Sequence, residues 1–242
     1  MNFAIEVRDL TKKFKSVTAL DGVTQSFDSG VLHGLIGPEG AGKTTLLRHI
    51  VGLYVPTSGE IEFKINGKII SPGDMKNSIS YMPQQQSLYP DLSIAEHLEF
   101  FRELYGLKKD EYSSKVEELL GITQLKKFRN RPAGNLSGGM YKKLGLMISL
   151  LHSPKILLLD EPTNGVDPIA RREFWDLLHH LITPEIIIIY TTAYMDEAER
   201  CDLVHLLDNG KLFSSGTPSE LLEKAQVQNF DEFYLRQTGA QV

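Results

Sequence analysis

The segment Gly37-Pro38-Glu39-Gly40-Ala41-Gly42-Lys43-Thr44 fits the spacing G-x-x-x-x-G-K-[ST]. An apolar run, Val31 to Ile36, precedes it, and a helical pattern follows from Lys43 to just before Gly52. That strand-loop-helix context is the one the spacing requires. Glycines let the backbone double back, so that successive N–H groups and a helix N-terminus converge on phosphate oxygens. Lys43 adds a point charge near the β- and γ-phosphates, and Thr44 offers a hydroxyl to magnesium. Average residue usage makes a chance match in such a chain roughly a one in a hundred event. The competing reading, a glycine-rich turn with a surface lysine, is correspondingly weak.

A nucleotide site needs a second half, an acid at the end of a buried strand, and Ile156-Leu157-Leu158-Leu159-Asp160 supplies it with Glu161 adjacent. A carboxylate at the end of a core strand requires a cation or donors to offset its desolvation. Asp160 is therefore read as a magnesium partner and Glu161 as the group that orients or deprotonates an attacking water. Taken without the Lys43 loop, the pair reads equally as a helix cap or salt-bridged acids.

The expected architecture is a mixed α/β core with a helical insertion. Strands are predicted over Phe3 to Leu10, Val23 to Phe27, Val31 to Ile36, Glu60 to Ile65 and Ser78 to Met82, with one helix among them. Asn66-Gly67 signals a hairpin. From about Ser87 to His152 the pattern is helical. Ser93 and Glu96 form a capping box, Asp110 to Leu120 is ended by Gly121, and a third helix follows Leu136-Ser137-Gly138-Gly139 until Pro154 forbids continuation. Buried strands at Lys155 to Asp160 and Ile186 to Thr191 flank a helix opened by Asp167-Pro168. Asp208-Asn209-Gly210 turns one late strand into another. Thr217-Pro218-Ser219-Glu220 opens the last clear helix.

Composition removes several function classes. Lys plus Arg number 26 against 31 Asp plus Glu, a net charge of -5, so no basic excess points to nucleic acid. A single cysteine, Cys201, forms no internal disulfide, which suits a reducing compartment. The apolar runs Leu144 to Leu151 and Ile186 to Tyr190 are far shorter than the roughly 18 residues of a membrane-spanning helix, so the chain is expected not to cross a bilayer. Lys126, Lys127, Arg129 and Arg131 read as a solvated face, with lipid headgroup or coupling-helix contact the minority reading. His179-His180 is wrongly spaced for a helical metal pair, and Trp175 reads as packing.

Leu136-Ser137-Gly138-Gly139-Met140, standing ahead of Asp160-Glu161-Pro162, resembles the signature motif of ATP-binding cassette (ABC) proteins. Other features of that family fall in order: Phe14, Gln84 after Tyr81-Met82-Pro83, Asn164-Gly165-Val166-Asp167, and Thr191 to Glu199. The resemblance covers nearly the whole chain. It implies a P-loop NTPase core with a mixed sheet, an N-terminal antiparallel β subdomain and a helical insertion. The α/β core would take 1–86 and 153–242, and a helical subdomain carrying the signature 87–152. It also implies an ATPase subunit whose Mg2+ and ATP lie between two cassettes, coupled to a membrane permease at the cytoplasmic face of the membrane.

By the same resemblance, Phe14 would stack on adenine, while Gly37 and Gly40, Ala41, Gly42, Lys43, Thr44 and Thr45 would hold the phosphates. Thr44, Gln84 and Asp160 would serve magnesium. Glu161 and Gln84 would act on the attacking water, and Gln85 and Gln86 blur the placing of the glutamine. Ser137, Gly138 and Gly139 would face the γ-phosphate on an opposite cassette, in a homodimer or a heterodimer, and Asp167 would lie at that interface. A soluble ATPase acting on nucleic acid or ribosomes, or a regulatory ATP-binding subunit, is the alternative.

Two residues depart from the family pattern. Ala193 stands where the family has a histidine contacting the γ-phosphate, and none of the seven histidines takes that place. The chain's own site is therefore expected to bind ATP and turn it over slowly. Glu39 stands where a neutral polar residue is usual. The combination resembles the first cassette of bacterial exporters carrying two unlike cassettes.

Overall fold

The computed structural model describes residues 2–85 and 87–239, with the side chain of Glu111 excluded; Gln86 lies outside the described residues. The first elements are β1 (Phe3–Phe14), β2 (Val17–Asp28), β3 (Leu32–Ile36), α1 (Lys43–Ile50), β4 (Ser58–Ile65), β5 (Lys68–Ile70), α2 (Pro72–Met75) and β6 (Ile79–Met82). Helices α3 (Ile94–Leu104), α4 (Lys109–Ile122) and α5 (Gly138–Leu150) follow. The chain then runs through β7 (Ile156–Asp160), α6 (Pro168–Leu181), β8 (Ile187–Thr192), β9 (Leu203–Asp208), β10 (Lys211–Gly216), α7 (Pro218–Ala225) and α8 (Phe230–Thr238).

Two sheets result. An antiparallel sheet has the order β2-β1-β4-β5, and a six-stranded sheet the order β10-β9-β3-β8-β7-β6. The larger sheet is mixed, because β10 runs antiparallel to β9 while the other neighbours are parallel. Every residue of β3, β7 and β8 is buried, as expected of strands covered on both faces. Side-chain alternation assigns the two faces to two cores. Leu157, Leu159, Ile188 and Tyr190 pack with Leu98, Val116, Leu144 and Trp175 of the helices. Ile156, Leu158, Ile187 and Ile189 pack with Ile5, Phe27, Leu46 and Leu47. The C-terminal ends of β3, β7 and β8 thus come side by side, leading into Gly37, Glu161 and Ala193, at the edge where open α/β sheets bind ligands.

Several sequence expectations need correction. Helix α4 runs through Gly121 to Ile122, and the chain turns only after it, with Gln124 at φ 61°. One internal glycine costs about 1 kcal/mol, less than burying Val116, Leu119 and Leu120 contributes. Strand β2 begins at Val17 rather than Val23, and β1 extends to Phe14. Register shifts between Val7 and Lys13 break the period-two pattern there. The short α2, capped by Ser71, interrupts the first strands as a second helix. Helix α8 follows α7, opened by Asn229 and buried only through Phe230 and Phe233, too few apolar positions to declare a period.

Candidate functional site

Strand β3 delivers the chain into a loop that closes on α1. Gly42 caps that helix at φ 109°, and a Cβ there would meet the carbonyl oxygen of Ala19 at 2.5 Å, so only glycine fits. Ser93, Ser137 and Asp167 cap the helices they open, but the first turn of α1 has no side-chain cap. Its amide groups and the positive end of its dipole face a cleft of about 450 Å³. Glu39 to Thr45, Val17, Thr18, Ala19, Gln84, Glu161 and Asn209 line it.

Lys43 is nearly buried, and its Nζ donates to the carbonyls of Gly37 at 2.7 Å and Pro38 at 2.9 Å. The same ammonium lies 3.2 Å from Glu161 Oε1. It thus rests on loop oxygens and a carboxylate beside the cleft, positions from which an anion would draw it.

Asp160 is fully buried at the end of β7 and accepts three hydroxyl hydrogen bonds. Thr44 Oγ1 donates at 3.0 Å and Thr191 Oγ1 at 2.9 Å to Oδ1, and the Tyr81 hydroxyl at 2.9 Å to Oδ2. Burial and the Asp160 carboxylate push the Tyr81 phenol well above its usual range, so it remains a donor. Tyr81 and Thr191 lie in segments the sequence singled out, but with no role attached to either; only the register of β6, β7 and β8 brings them to Asp160.

Glu161 turns the chain out of β7 at φ 45°, and its N–H donates to Thr191 Oγ1 at 3.0 Å. Gln84 Nε2 donates to its Oε2 at 2.6 Å and Asn164 Nδ2 at 3.1 Å. Lys142 of α5 donates to the Gln84 carbonyl at 3.3 Å. Burial holds that ammonium below its usual pKa, with Glu161 and Asp160 opposing the shift.

The structure thus brings Gly40 to Thr45, Gln84, Asp160 and Glu161 together from three separate segments. Gly37 joins them through its carbonyl, which accepts from Lys43 Nζ, whereas Phe14, Ser137, Gly138, Gly139 and Asp167 lie outside the cleft. Phe14 is not among the residues lining the cleft; its ring lies 5.5 Å from that of Tyr54, and its cross-strand partner Val17 forms the cleft wall. Ser137 caps α5 by accepting from Met140 N, Gly138 and Gly139 form that helix's first turn, and Asp167 caps α6. None of the four lines the cleft. Among the described residues no cluster of three or more His, Cys, Asp or Glu stands ready to hold a metal ion. A hydroxyl and a carboxylate 3.0 Å apart, Thr44 and Asp160, are instead the oxygen donors suited to a hard cation that arrives with phosphate.

A family model described as ABC transporter matches residues 20–164. The chain is 40% identical over 228 residues to the probable multidrug ABC transporter ATP-binding protein YbhF of Escherichia coli (strain K12), covering 94% of this chain and 39% of that protein. It is 36% identical over 222 residues to the Nod factor export ATP-binding protein I of Ralstonia nicotianae, covering 90% of this chain and 68% of that protein. The chain therefore spans well under half of the first relative. A solved ATP-binding subunit of an ABC transporter superposes with a TM-score of 0.83 at 30% identity, covering 97% of this chain and 99% of that one. The cbiO1 protein from Clostridium perfringens, part of the ABC transporter complex cbiONQ, superposes at 0.82 and 26% identity, covering 98% and 94%.

Proposed function

We propose, from the premise that this chain belongs to the ABC transporter family as an ATP-binding subunit, that its cleft binds Mg-ATP and that hydrolysis there is coupled to a membrane permease. The observation that carries this reading is the convergence on one cleft of an uncapped helix start, the Lys43 ammonium and the Thr44–Asp160 pair. Phosphates would draw Lys43 from the carbonyls of Gly37 and Pro38 and take the free amides of the loop through Thr45. Thr44 and Asp160 would hold magnesium, with Gln84 beside them; the ion supplies charge neutralisation to the β- and γ-phosphate oxygens.

Glu161, held between Gln84 and Asn164, would take the proton of a water attacking the γ-phosphorus, while the bond to the ADP oxygen breaks and phosphate leaves. Tyr81 and Thr191 keep Asp160 in place when Thr44 turns away. A base extending past Val17 would meet the Phe14 ring. The 1–86 and 153–242 segments form the nucleotide-binding core in this reading, and 87–152 the part that presents Ser137, Gly138 and Gly139.

Since those residues and Asp167 stand apart from the chain's own cleft, they would complete the site of a second cassette, identical or unlike. Ala193 offers no donor beside Glu161, so the chain's own site would turn over slowly. No helix among the described residues is long and apolar enough to cross a membrane; attachment to the cytoplasmic face would come through the permease. The named relatives are transporter components, which supports this over a soluble ATPase acting on nucleic acid or ribosomes.

Titration with labelled ATP and Mg2+ tests the reading. The chain should bind saturably and Lys43→Ala should abolish that binding; micromolar affinity retained by Lys43→Ala would overturn it.

A further inference from the structure

Glu197 has no place in the site assembled above, yet its side chain is wholly buried. A carboxylate in that position demands donors on every side, and four polar groups surround it. Arg171 Nε at 2.6 Å and Trp175 Nε1 at 3.1 Å donate to Oε1. The Thr163 hydroxyl lies 2.9 Å from Oε1, the Tyr190 hydroxyl 2.7 Å from Oε2, and the two hydroxyls 2.6 Å from each other, so that one donates to the other and the pair delivers a single proton to the carboxylate. These groups come from three elements: the loop after β7, α6 and β8. Glu197 itself sits in the short helical turn Met195–Arg200 that follows Ala193 and Tyr194.

Each strand of this network ends at a group already placed near the chemistry. Thr163 stands two residues beyond Glu161 and next to Asn164, whose Nδ2 holds the Glu161 carboxylate. Arg171 also grips Asp196 with two bonds of 2.8 Å, and its guanidinium lies 4.8 Å from the Tyr194 ring, securing the segment that carries Ala193. Ala170, beside Arg171, packs so closely on the start of α5 that a Cβ at Gly139 would lie 2.4 Å from its own Cβ. One buried anion therefore ties together the loop of Glu161, the loop of Ala193 and the helix against which Gly139 rests.

We infer that Glu197 is a positioning residue for phosphoryl transfer: through Thr163 it sets the direction of the Glu161 carboxylate, and through Arg171 it keeps the Gly138–Gly139 helix start in register with that carboxylate. The inference rests on the reading of the cleft as an ATP site. It locates the effect in the rate of the chemical step, because none of the Glu197 partners lines the cleft that would take the nucleotide.

Thr163→Val retains the branched shape and deletes the hydroxyl, Thr163→Ser retains the hydroxyl, and Glu197→Gln removes the charge. Single-turnover hydrolysis and equilibrium binding of Mg-ATP are measured on each full-length chain. Thr163→Val and Glu197→Gln should lower the saturated rate about 10- to 100-fold while affinity stays within about twofold, and Thr163→Ser should keep the rate within about threefold. If Glu197→Gln does not fold, the Thr163 pair decides.

If the parent rate lies below detection, amide exchange at Asn164 and Val166, which donate to the Glu161 and Thr163 carbonyls, decides. Protection lost in Thr163→Val and kept in Thr163→Ser supports the proposal; equal protection overturns it. Unchanged turnover in Thr163→Val, equal losses in the Val and Ser variants, or affinity falling in step with rate also overturns it. A parent chain that binds no Mg-ATP overturns the reading of the cleft instead.

Discussion

The methyl group of Ala193 borders a cavity of about 70 Å³ shared with Glu39, Glu161, Asn164, Thr192 and Tyr194. A hydrogen-bond donor at that point would face the same region as the Glu161 carboxylate, where charge would develop in the phosphoryl transfer proposed for this cleft. A donor preorganised in this way is worth roughly 10²- to 10³-fold in rate. Ala193→His should therefore accelerate phosphate release by about that factor in a saturating Mg-ATP assay, and a rate equal to the parent's would show that the site is not limited by this position. Position 193 was legible as a departure because its neighbours matched a pattern. Tyr81 and Thr191 were not, because a hydroxyl becomes an aspartate clamp only through strand register.

Local signals at helix starts translated well into elements. The capping box at Ser93 forms as expected: Ser93 N donates to Glu96 Oε2 at 2.8 Å, and Glu96 N to Ser93 Oγ at 3.3 Å. The one at Thr217 forms likewise. Such signals are legible because cap and amide lie within one turn of chain. Ser93→Ala should cost about 1 kcal/mol, seen as a fall of about 2–4 °C in the midpoint of thermal unfolding; an unchanged midpoint would mean the cap contributes nothing to α3. Helices α1 and α3 end ahead of Gly52 and Gly106 as the sequence suggests, but α4 does not end at Gly121. At Gly121 the burial of Leu119 and Leu120 outweighs a backbone preference, and that burial comes from a core cluster assembled from segments distant in sequence.

At the scale of the whole molecule, the mixed sheet joins two cores, and between β3 and β9 it encloses a histidine pair. His33 Nε2 lies 2.9 Å from the Asp28 carbonyl and so donates to it. His33 Nδ1 must then accept from His205 Nε2 at 3.0 Å, and His205 Nδ1 from the Ser215 hydroxyl at 2.7 Å. This chain of bonds requires both rings neutral. Burial lowers the pKa of His33, and burial with His33 beside it lowers that of His205 to about 3; Asp28 and Asp202 oppose the shift at His33.

With folded values below unfolded ones, the unfolded chain binds more protons on acidification, so the contribution is complete above about pH 6.5 and falls as pH drops toward 3. The slope is about 1.4 kcal/mol per pH unit for each proton taken up on unfolding. Denaturant unfolding at pH 7 and pH 5 should show that loss. His205→Gln, which does not titrate, should lessen it, with His33, His49 and His152, also held down by burial, keeping the remainder; an unaltered slope would remove His205 from the account.

The sequence alone determined the glycine-rich loop before Lys43, the strand-end acids, the capped helices and the succession of strands and helices, since each depends on residues close together in the chain. Which acid Tyr81 clamps, where Glu197 finds its donors, that α4 ignores Gly121, and that Ser137 stands apart from Lys43 were decided only in three dimensions. Those outcomes rest on contacts between segments far apart in the chain, where packing and desolvation outweigh local preference.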